Sequence, residues 1–456
     1  MDRFEIRGGN RLAGRLTIKG SKNAALPMMA AGLLTDQPFV LRSVPKLADI
    51  GNMERLLAEL GCEISQEEAD DLDSPGGVFR LRVTDDTISH ARYEVVRTMR
   101  ASICVLGPML ARRGFARVSL PGGCAIGDRP VDMHLKGLAA LGADITMDQG
   151  DIIARVPKAH GKRGRLKGAR VFLGGPFGST VLGTANVMSA ATLAEGTTII
   201  ECAACEPEVV DLANLLNSMG AKITGQGSPR ITIEGVAELG AADWTIIADR
   251  IEAGTYMCAA AITGGDITLD NCPVDALMAH MDRLTHMGVT MQWDAKADPM
   301  RATCRVTAGR SLKPIDVTTQ PHPGFPTDLQ AQLMAVLCLA EGNSVITERI
   351  FTERFLHVAE LGRMGAQLYR QGSTVIVSGV RKLTPAPIMA SDLRASACLV
   401  LAGLAAEGSG VTTVNRVYHL DRGYEKMELR LAALGADVVR VNEKEDATLS
   451  AAGGVG

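Results

Sequence analysis

Two kinds of helical pattern alternate along the 456-residue chain, and their spacing predicts its organisation. The first kind is apolar on every side and is followed by a glycine or polar break and then a strand. Six such runs begin at Ala24, Ser102, Asn186, Thr255, Leu329 and Ser396, the fifth reading Leu329-Gln330-Ala331-Gln332-Leu333-Met334-Ala335-Val336-Leu337-Cys338. A helix without a polar face belongs in the middle of a core. The second kind has one polar face, as in Val209-Val210-Asp211-Leu212-Ala213-Asn214-Leu215-Leu216, and predicts a helix that covers the outside.

Each amphipathic run ends on Leu or Met, then Gly, then a small or β-branched residue. The six endings are Leu60-Gly61-Cys62, Leu141-Gly142-Ala143, Met219-Gly220-Ala221, Met287-Gly288-Val289, Met364-Gly365-Ala366 and Leu434-Gly435-Ala436, their glycines 68 to 81 residues apart. Glycine suits the left-handed position that ends a helix. A strand such as Lys222-Ile223-Thr224 follows each one. The chain thus reads as six copies of one unit: buried helix, strand, outer helix, then one or two strands. Units of about 76 residues are smaller than ordinary domains and must share cores. Two domains of three units are expected, with the seam after the strand Arg230-Ile231-Thr232-Ile233-Glu234, near Asp249. The acidic run Glu67 to Asp73 reads as a solvated insertion, and residues 441–456 as a flexible tail.

Composition narrows the function classes. Hydrophobic residues at 46% with 22% charged describe a soluble globular chain, and 4% aromatic implies a core of small aliphatic side chains. With 48 basic against 51 acidic residues the net charge is −3, so no global field draws the chain to nucleic acid or a membrane surface. Anion binding must be local. Charges fill Met1-Asp2-Arg3-Phe4-Glu5-Ile6-Arg7, where a secretory signal would be apolar, and no run reaches the roughly 18 apolar residues of a membrane span. A cytoplasmic location is the expectation. The ten cysteines lie mostly in apolar stretches and read as small hydrophobes; the lone Cys202-Ala203-Ala204-Cys205 pair has no companion at zinc spacing. The eight histidines likewise offer no metal pattern, and no metal or cofactor is expected.

One stretch departs from this plain background. Pro121-Gly122-Gly123-Cys124-Ala125-Ile126-Gly127-Asp128-Arg129-Pro130-Val131-Asp132 holds one thiol within a glycine-rich loop, with an arginine five positions on. Glycines let such a segment lie against a ligand or move over it. A nearby cation favours thiolate and makes a cysteine able to exchange a proton near neutral pH.

The six units and six motifs, the cysteine loop among them, closely resemble the enolpyruvyl transferase family over essentially the whole chain. The motifs are Gly20-Ser21-Lys22-Asn23-Ala24-Ala25-Leu26-Pro27, Thr98-Met99-Arg100-Ala101-Ser102, the cysteine loop itself, Phe325-Pro326-Thr327-Asp328-Leu329-Gln330-Ala331-Gln332, Ser391-Asp392-Leu393-Arg394-Ala395-Ser396 and His419-Leu420-Asp421-Arg422-Gly423-Tyr424-Glu425. The resemblance implies an α/β fold of two inside-out α/β barrel domains built from six βαβαββ-type units. Residues 22–248 would form the first domain, and 1–21 with 249–440 the second.

It also implies an activity: transfer of the enolpyruvyl group of phosphoenolpyruvate to the 3-hydroxyl of UDP-N-acetylglucosamine, releasing phosphate, at the first committed step of peptidoglycan synthesis. By motif, Lys22, Arg129, Arg394 and Arg422 would hold phosphoenolpyruvate. Asn23, Arg100, Arg129, Pro130, Val131, Asp132, Met133, Asp328 and Ile350 would hold the UDP-sugar, with Thr180 and Val181 at the uridine. Cys124 would protonate the enol carbon and would be the thiol alkylated by the epoxide fosfomycin. Partners beyond these small molecules are not implied, and the oligomeric state is left open.

The residue types suit this chemistry on their own terms. A substrate with a carboxylate and a phosphate needs several fixed cations, and Lys22, Arg100, Arg129, Arg394 and Arg422 supply five. Attack on its central carbon needs an acid for the adjacent CH2 and a base for the attacking hydroxyl, roles that Cys124 and Asp328 can fill. Asp328 and Asp392 each precede a buried helix, so either could instead be an N-terminal cap. Two positions depart from the family pattern: Leu182 replaces a glycine in Ser179-Thr180-Val181-Leu182-Gly183-Thr184, and Cys205 stands where an arginine commonly precedes Glu206-Pro207-Glu208. Transfer to shikimate 3-phosphate is the enzymatic alternative, although relatives with that activity lack the cysteine loop. A non-catalytic repeat scaffold or nucleotide-binding module is the alternative of another class.

Overall fold

The computed structural model describes residues 2–69, 71–121, 131–157 and 164–442. The all-apolar runs lie in the helices Lys22–Ala31, Leu106–Arg113, Val181–Ala191, Arg250–Thr263, Gln330–Leu337 and Leu393–Ala405. All eight residues of Gln330–Leu337 and all fourteen of Arg250–Thr263 are buried, as a helix with no polar stripe requires. The amphipathic runs form helices that bury one face, such as Ala48–Glu59 and Pro207–Ser218. All six glycines that end them have positive φ, from +82° at Gly61 to +102° at Gly220 and Gly288. Side chains rarely adopt that conformation, which is why the same ending recurs.

Among the described residues, six four-stranded sheets share one arrangement of strand senses: an edge strand parallel to its neighbour, then two antiparallel pairings. In three of the six sheets all four strands come from one stretch of chain. The other three are completed from a distance. Asp2–Arg7 lies between Thr412–Asn415 and Asp437–Asn442, and Ala13–Thr17 adds in parallel to Asp266–Cys272. The strand Ala242–Thr245 adds in parallel to Phe39–Val44.

The chain divides into two compact units, one of residues 2–18 and 248–442, the other of residues 19–121 and 131–247. Each has its own hydrophobic core. In the first, the helices Arg250–Thr263, Gln330–Leu337 and Leu393–Ala405 pack on one another, with Tyr256, Met334 and Leu399 fully buried. In the second, Leu106–Arg113 and Lys22–Ala31 pack on Val181–Ala191, around Met28, Leu110 and Met188. Val441 and Asn442 correct the expected tail. They end the strand Asp437–Asn442, paired with Arg3 and Asp2, because its alternating pattern matches the N-terminal strand; residues 443–456 lie outside the described residues.

Two histidines in the first core make its stability depend on acidity. His280 is 0% and His357 1% exposed, and burial pushes both down from the ordinary imidazole value to about 4. An unfolded chain takes up these protons first as the pH falls. Each histidine therefore contributes fully above about pH 6.5, and that contribution is lost as the pH drops to about 4, by about 3 kcal/mol per residue. Denaturant unfolding at pH 7.5 and 4.5 is expected to give a much lower midpoint in acid, and His280→Gln a smaller difference. An equal pH difference in that variant would contradict the assignment.

Candidate active site

The predicted site residues sit mainly at the N-terminal ends of the central helices. Helix Lys22–Ala31 starts from Ser21, whose hydroxyl accepts the N–H of Ala24 at 3.4 Å, while the N–H of Ser21 reaches the carbonyl of Ile247 at 2.8 Å. Gly20 permits this entry because a Cβ there would stand 1.8 Å from the carbonyl oxygen of Ser43. Lys22, the first helical residue, is 8% exposed and places its Nζ 3.0 Å from Asp49 Oδ2. Asn23 follows half-buried. Arg100 opens the short helical turn Arg100–Val105 packed against Lys22–Ala31. A cation in the first turn works against the helix dipole, so these positions gain when an anion arrives.

Val131 and Met133 flank the exposed Asp132 at the start of helix Asp132–Ala140, with the Met133 methyl near Gly175. Thr180 caps Val181–Ala191 by accepting the N–H of Gly183 at 3.2 Å, a structural role for a residue expected at the uridine, and Val181 is half-buried beside it. Cys124, Arg129 and Pro130 lie outside the described residues.

In the unit of residues 248–442 the structure brings Asp328 and Arg394 into contact. Asp328 Oδ2 accepts from an Arg394 guanidinium nitrogen at 2.8 Å, and Oδ1 from Arg354 at 2.7 Å. The two arginines are 5% and 7% exposed at their side chains and Asp328 27%. Asp328 caps nothing: it lies in the turn Thr327–Leu329, and helix Gln330–Leu337 has no side-chain cap. Burial pushes its carboxyl up, but Arg394 and then Arg354 outweigh burial and hold it well below the usual carboxylate range. Asp392 is the cap in this group. It accepts the N–H groups of Arg394 and Ala395 at 2.9 and 3.1 Å and so presents Arg394 at the start of Leu393–Ala405.

Behind Arg394 lies a polar knot among the three central helices. Its guanidinium donates to Tyr424 Oη at 3.3 Å; Tyr424 shares a 2.8 Å hydrogen bond with Thr255; and Gln332 Nε2 donates to Asp328 O at 2.9 Å. Arg422 ends the turn Val417–Arg422 two residues before Tyr424. Ile350 is half-buried and donates its N–H to Glu348 at 2.8 Å. Arg354 and Asp49 escape the sequence reading. Their signals are faint: Arg354 stands four residues after Ile350 in a loop, and Asp49 is a buried acid opening the otherwise amphipathic helix Ala48–Glu59. Among the described residues no group of three or more His, Cys, Asp or Glu side chains is placed to hold a metal, and no helix is long and apolar enough to cross a membrane.

Residues 6–431 match the family model for EPSP synthase (3-phosphoshikimate 1-carboxyvinyltransferase). The chain belongs to the enolpyruvyl transferase family. Among relatives of this enolpyruvyl transferase, the UDP-N-acetylglucosamine 1-carboxyvinyltransferase of Granulibacter bethesdensis is 52% identical over 97% of this chain and 100% of its own length. The protein of the same name from Methylacidiphilum infernorum is 49% identical with the same coverage. The enolpyruvyl transferase NikO of Streptomyces tendae has the same fold, with a TM-score of 0.83 over 96% of this chain and 99% of that one at 23% identity. This transferase is thus an α/β enzyme of carboxyvinyl transfer whose polypeptide matches its relatives from end to end.

Proposed function

We propose that this enolpyruvyl transferase moves the enolpyruvyl group of phosphoenolpyruvate to the 3-hydroxyl of UDP-N-acetylglucosamine, releasing phosphate, in the first committed step of peptidoglycan synthesis. The observation that carries this reading is full-length identity of about half to proteins bearing that activity in their names. In the same reading the six sheets are six copies of one βαβαββ unit, grouped as two inside-out α/β barrels of residues 22–248 and of 1–21 with 249–440.

The reaction is an addition followed by an elimination. The sugar oxygen bonds to the central carbon of phosphoenolpyruvate while its proton passes to Asp328, and Cys124 delivers a proton to the adjacent CH2. The new methyl group of the tetrahedral adduct then returns a proton to the Cys124 thiolate as the carbon–oxygen bond to phosphate breaks, and Asp328 gives its proton to the departing phosphate, restoring the vinyl ether and both side chains. Lys22, Arg129, Arg394 and Arg422 neutralise the carboxylate and phosphate. Asn23, Arg100, Val131, Asp132, Met133, Thr180, Val181 and Ile350 hold the UDP-sugar. Asp328, kept ionised between two guanidiniums, is a weak base before reaction. It takes the proton only as bonding to carbon makes the hydroxyl acidic.

Phosphate release from phosphoenolpyruvate tests the reading directly. Release is expected with UDP-N-acetylglucosamine and not with shikimate 3-phosphate. The reverse result would assign the chain to the sister activity, and no release with either would assign it to a non-catalytic role.

A further inference from the structure

Glu348 is a fully buried carboxylate, 0% exposed, that the reaction above does not use. It directly follows the strand Asn343–Thr347, and its oxygens gather four donors from three separate segments. Oε1 accepts the hydroxyl of Thr319 at 2.7 Å and the N–H groups of Ile350 and Phe351 at 2.8 and 3.0 Å; Oε2 accepts the hydroxyl of Thr327 at 2.9 Å. Thr319 in turn accepts the N–H of Arg349 at 2.8 Å. A side chain with one charge and four donors around it is satisfied without a direct cation, which allows an acid to remain in the core.

The Thr327 hydroxyl connects this anchor to the site. It gives its one proton to Glu348 and accepts from Arg354 Nη1 at 3.1 Å, and the same nitrogen donates to Asp328 at 2.7 Å. Thr327 and Asp328 are adjacent in the chain. Glu348 thereby decides which way the Thr327 hydroxyl points, and that orientation leaves its lone pair for Arg354.

We propose that Glu348 is a positioning residue for Asp328, acting through the Thr327 hydroxyl and Arg354; this rests on the reading of Asp328 as the residue that meets the acceptor hydroxyl. Its other carboxylate oxygen, Oε1, ties down the Ile350–Phe351 backbone, so one buried acid joins two segments of the same site.

The two functions of the carboxylate can be separated. Glu348→Gln keeps an oxygen for the backbone N–H groups of Ile350 and Phe351 and turns its NH2 toward Thr327, whose hydroxyl then faces two donors. Thr327→Val removes the link and leaves Glu348 charged. Both variants are expected to lose kcat per folded molecule by on the order of 10- to 100-fold, the scale of a displaced catalytic group, with KM for UDP-N-acetylglucosamine and for phosphoenolpyruvate changed less than about 3-fold. A purely structural role would instead lower the melting temperature with kcat per folded molecule intact. Should Glu348→Gln fail to fold, Thr327→Val still decides, and wild-type kcat in a folded Thr327→Val overturns the proposal. Asp328→Asn measured in parallel identifies the source of a failure. If it loses turnover while the folded variants keep theirs, positioning through Glu348 is wrong; if all keep theirs, the reading of Asp328 has failed as well.

Discussion

Asp328→Asn is expected to lower kcat by about 10²- to 10⁴-fold, the usual contribution of a positioned proton acceptor. An amide of the same shape keeps one acceptor for Arg354 or Arg394 but carries no charge and takes no proton. The geometry also sets a second consequence. Arg354 and Arg394 are buried side chains that share this carboxylate, so its neutralisation costs about 1–3 kcal/mol of stability as well. Turnover must accordingly be measured per folded molecule, with the melting curve recorded alongside.

Linkage gives the pH range of that stability. The folded carboxyl is held below its ordinary value, so the contribution is present above about pH 4 and is lost only as the pH falls through the lower folded value. It does not overlap the loss between pH 6.5 and about 4 expected from His280 and His357. A variant with wild-type kcat per folded molecule would remove Asp328 from the chemistry and leave it as the counterion of two arginines.

The second large effect concerns Cys124. It is the proposed proton donor to the enol carbon, so its replacement by alanine should lower turnover by about 10²- to 10⁴-fold, while calorimetry still registers UDP-N-acetylglucosamine binding. Cys124→Asp should retain turnover because a carboxylic acid can donate the same proton. It should also resist fosfomycin, since a carboxylate is a poor soft nucleophile toward an epoxide. In the unaltered protein, fosfomycin should add to one peptide only, the one containing Cys124, and mass mapping of the treated protein reads this out. Among the other thiols, Cys62, Cys104, Cys258, Cys338 and Cys398 are poor candidates, because burial raises each of them and suppresses the thiolate. An adduct on any of them, or full turnover in Cys124→Ala, would exclude Cys124 from the mechanism.

Much of this protein is written in local pattern. The six all-apolar runs could only become buried helices, and the six Gly endings could only be turns with positive φ, because each depends on residues within a few positions of one another. Membership of the family was equally legible, since the motifs around Lys22, Asp328, Arg394 and Arg422 are contiguous stretches of chain.

What tertiary structure alone decided are the pairings between stretches. Asp328 is read from its motif as the group that meets the substrate, with a helix cap as the alternative, and its neighbours in sequence cannot exclude the cap. The structure removes the cap: Arg354, 26 residues away, and Arg394, 66 residues away, hold the two carboxylate oxygens, and helix Gln330–Leu337 has no side-chain cap. Lys22 and Asp49, and the four donors around Glu348, are contacts of the same kind. Periodicity records which face of a segment is buried, whereas the partner of a buried charge is fixed only when separate segments pack together.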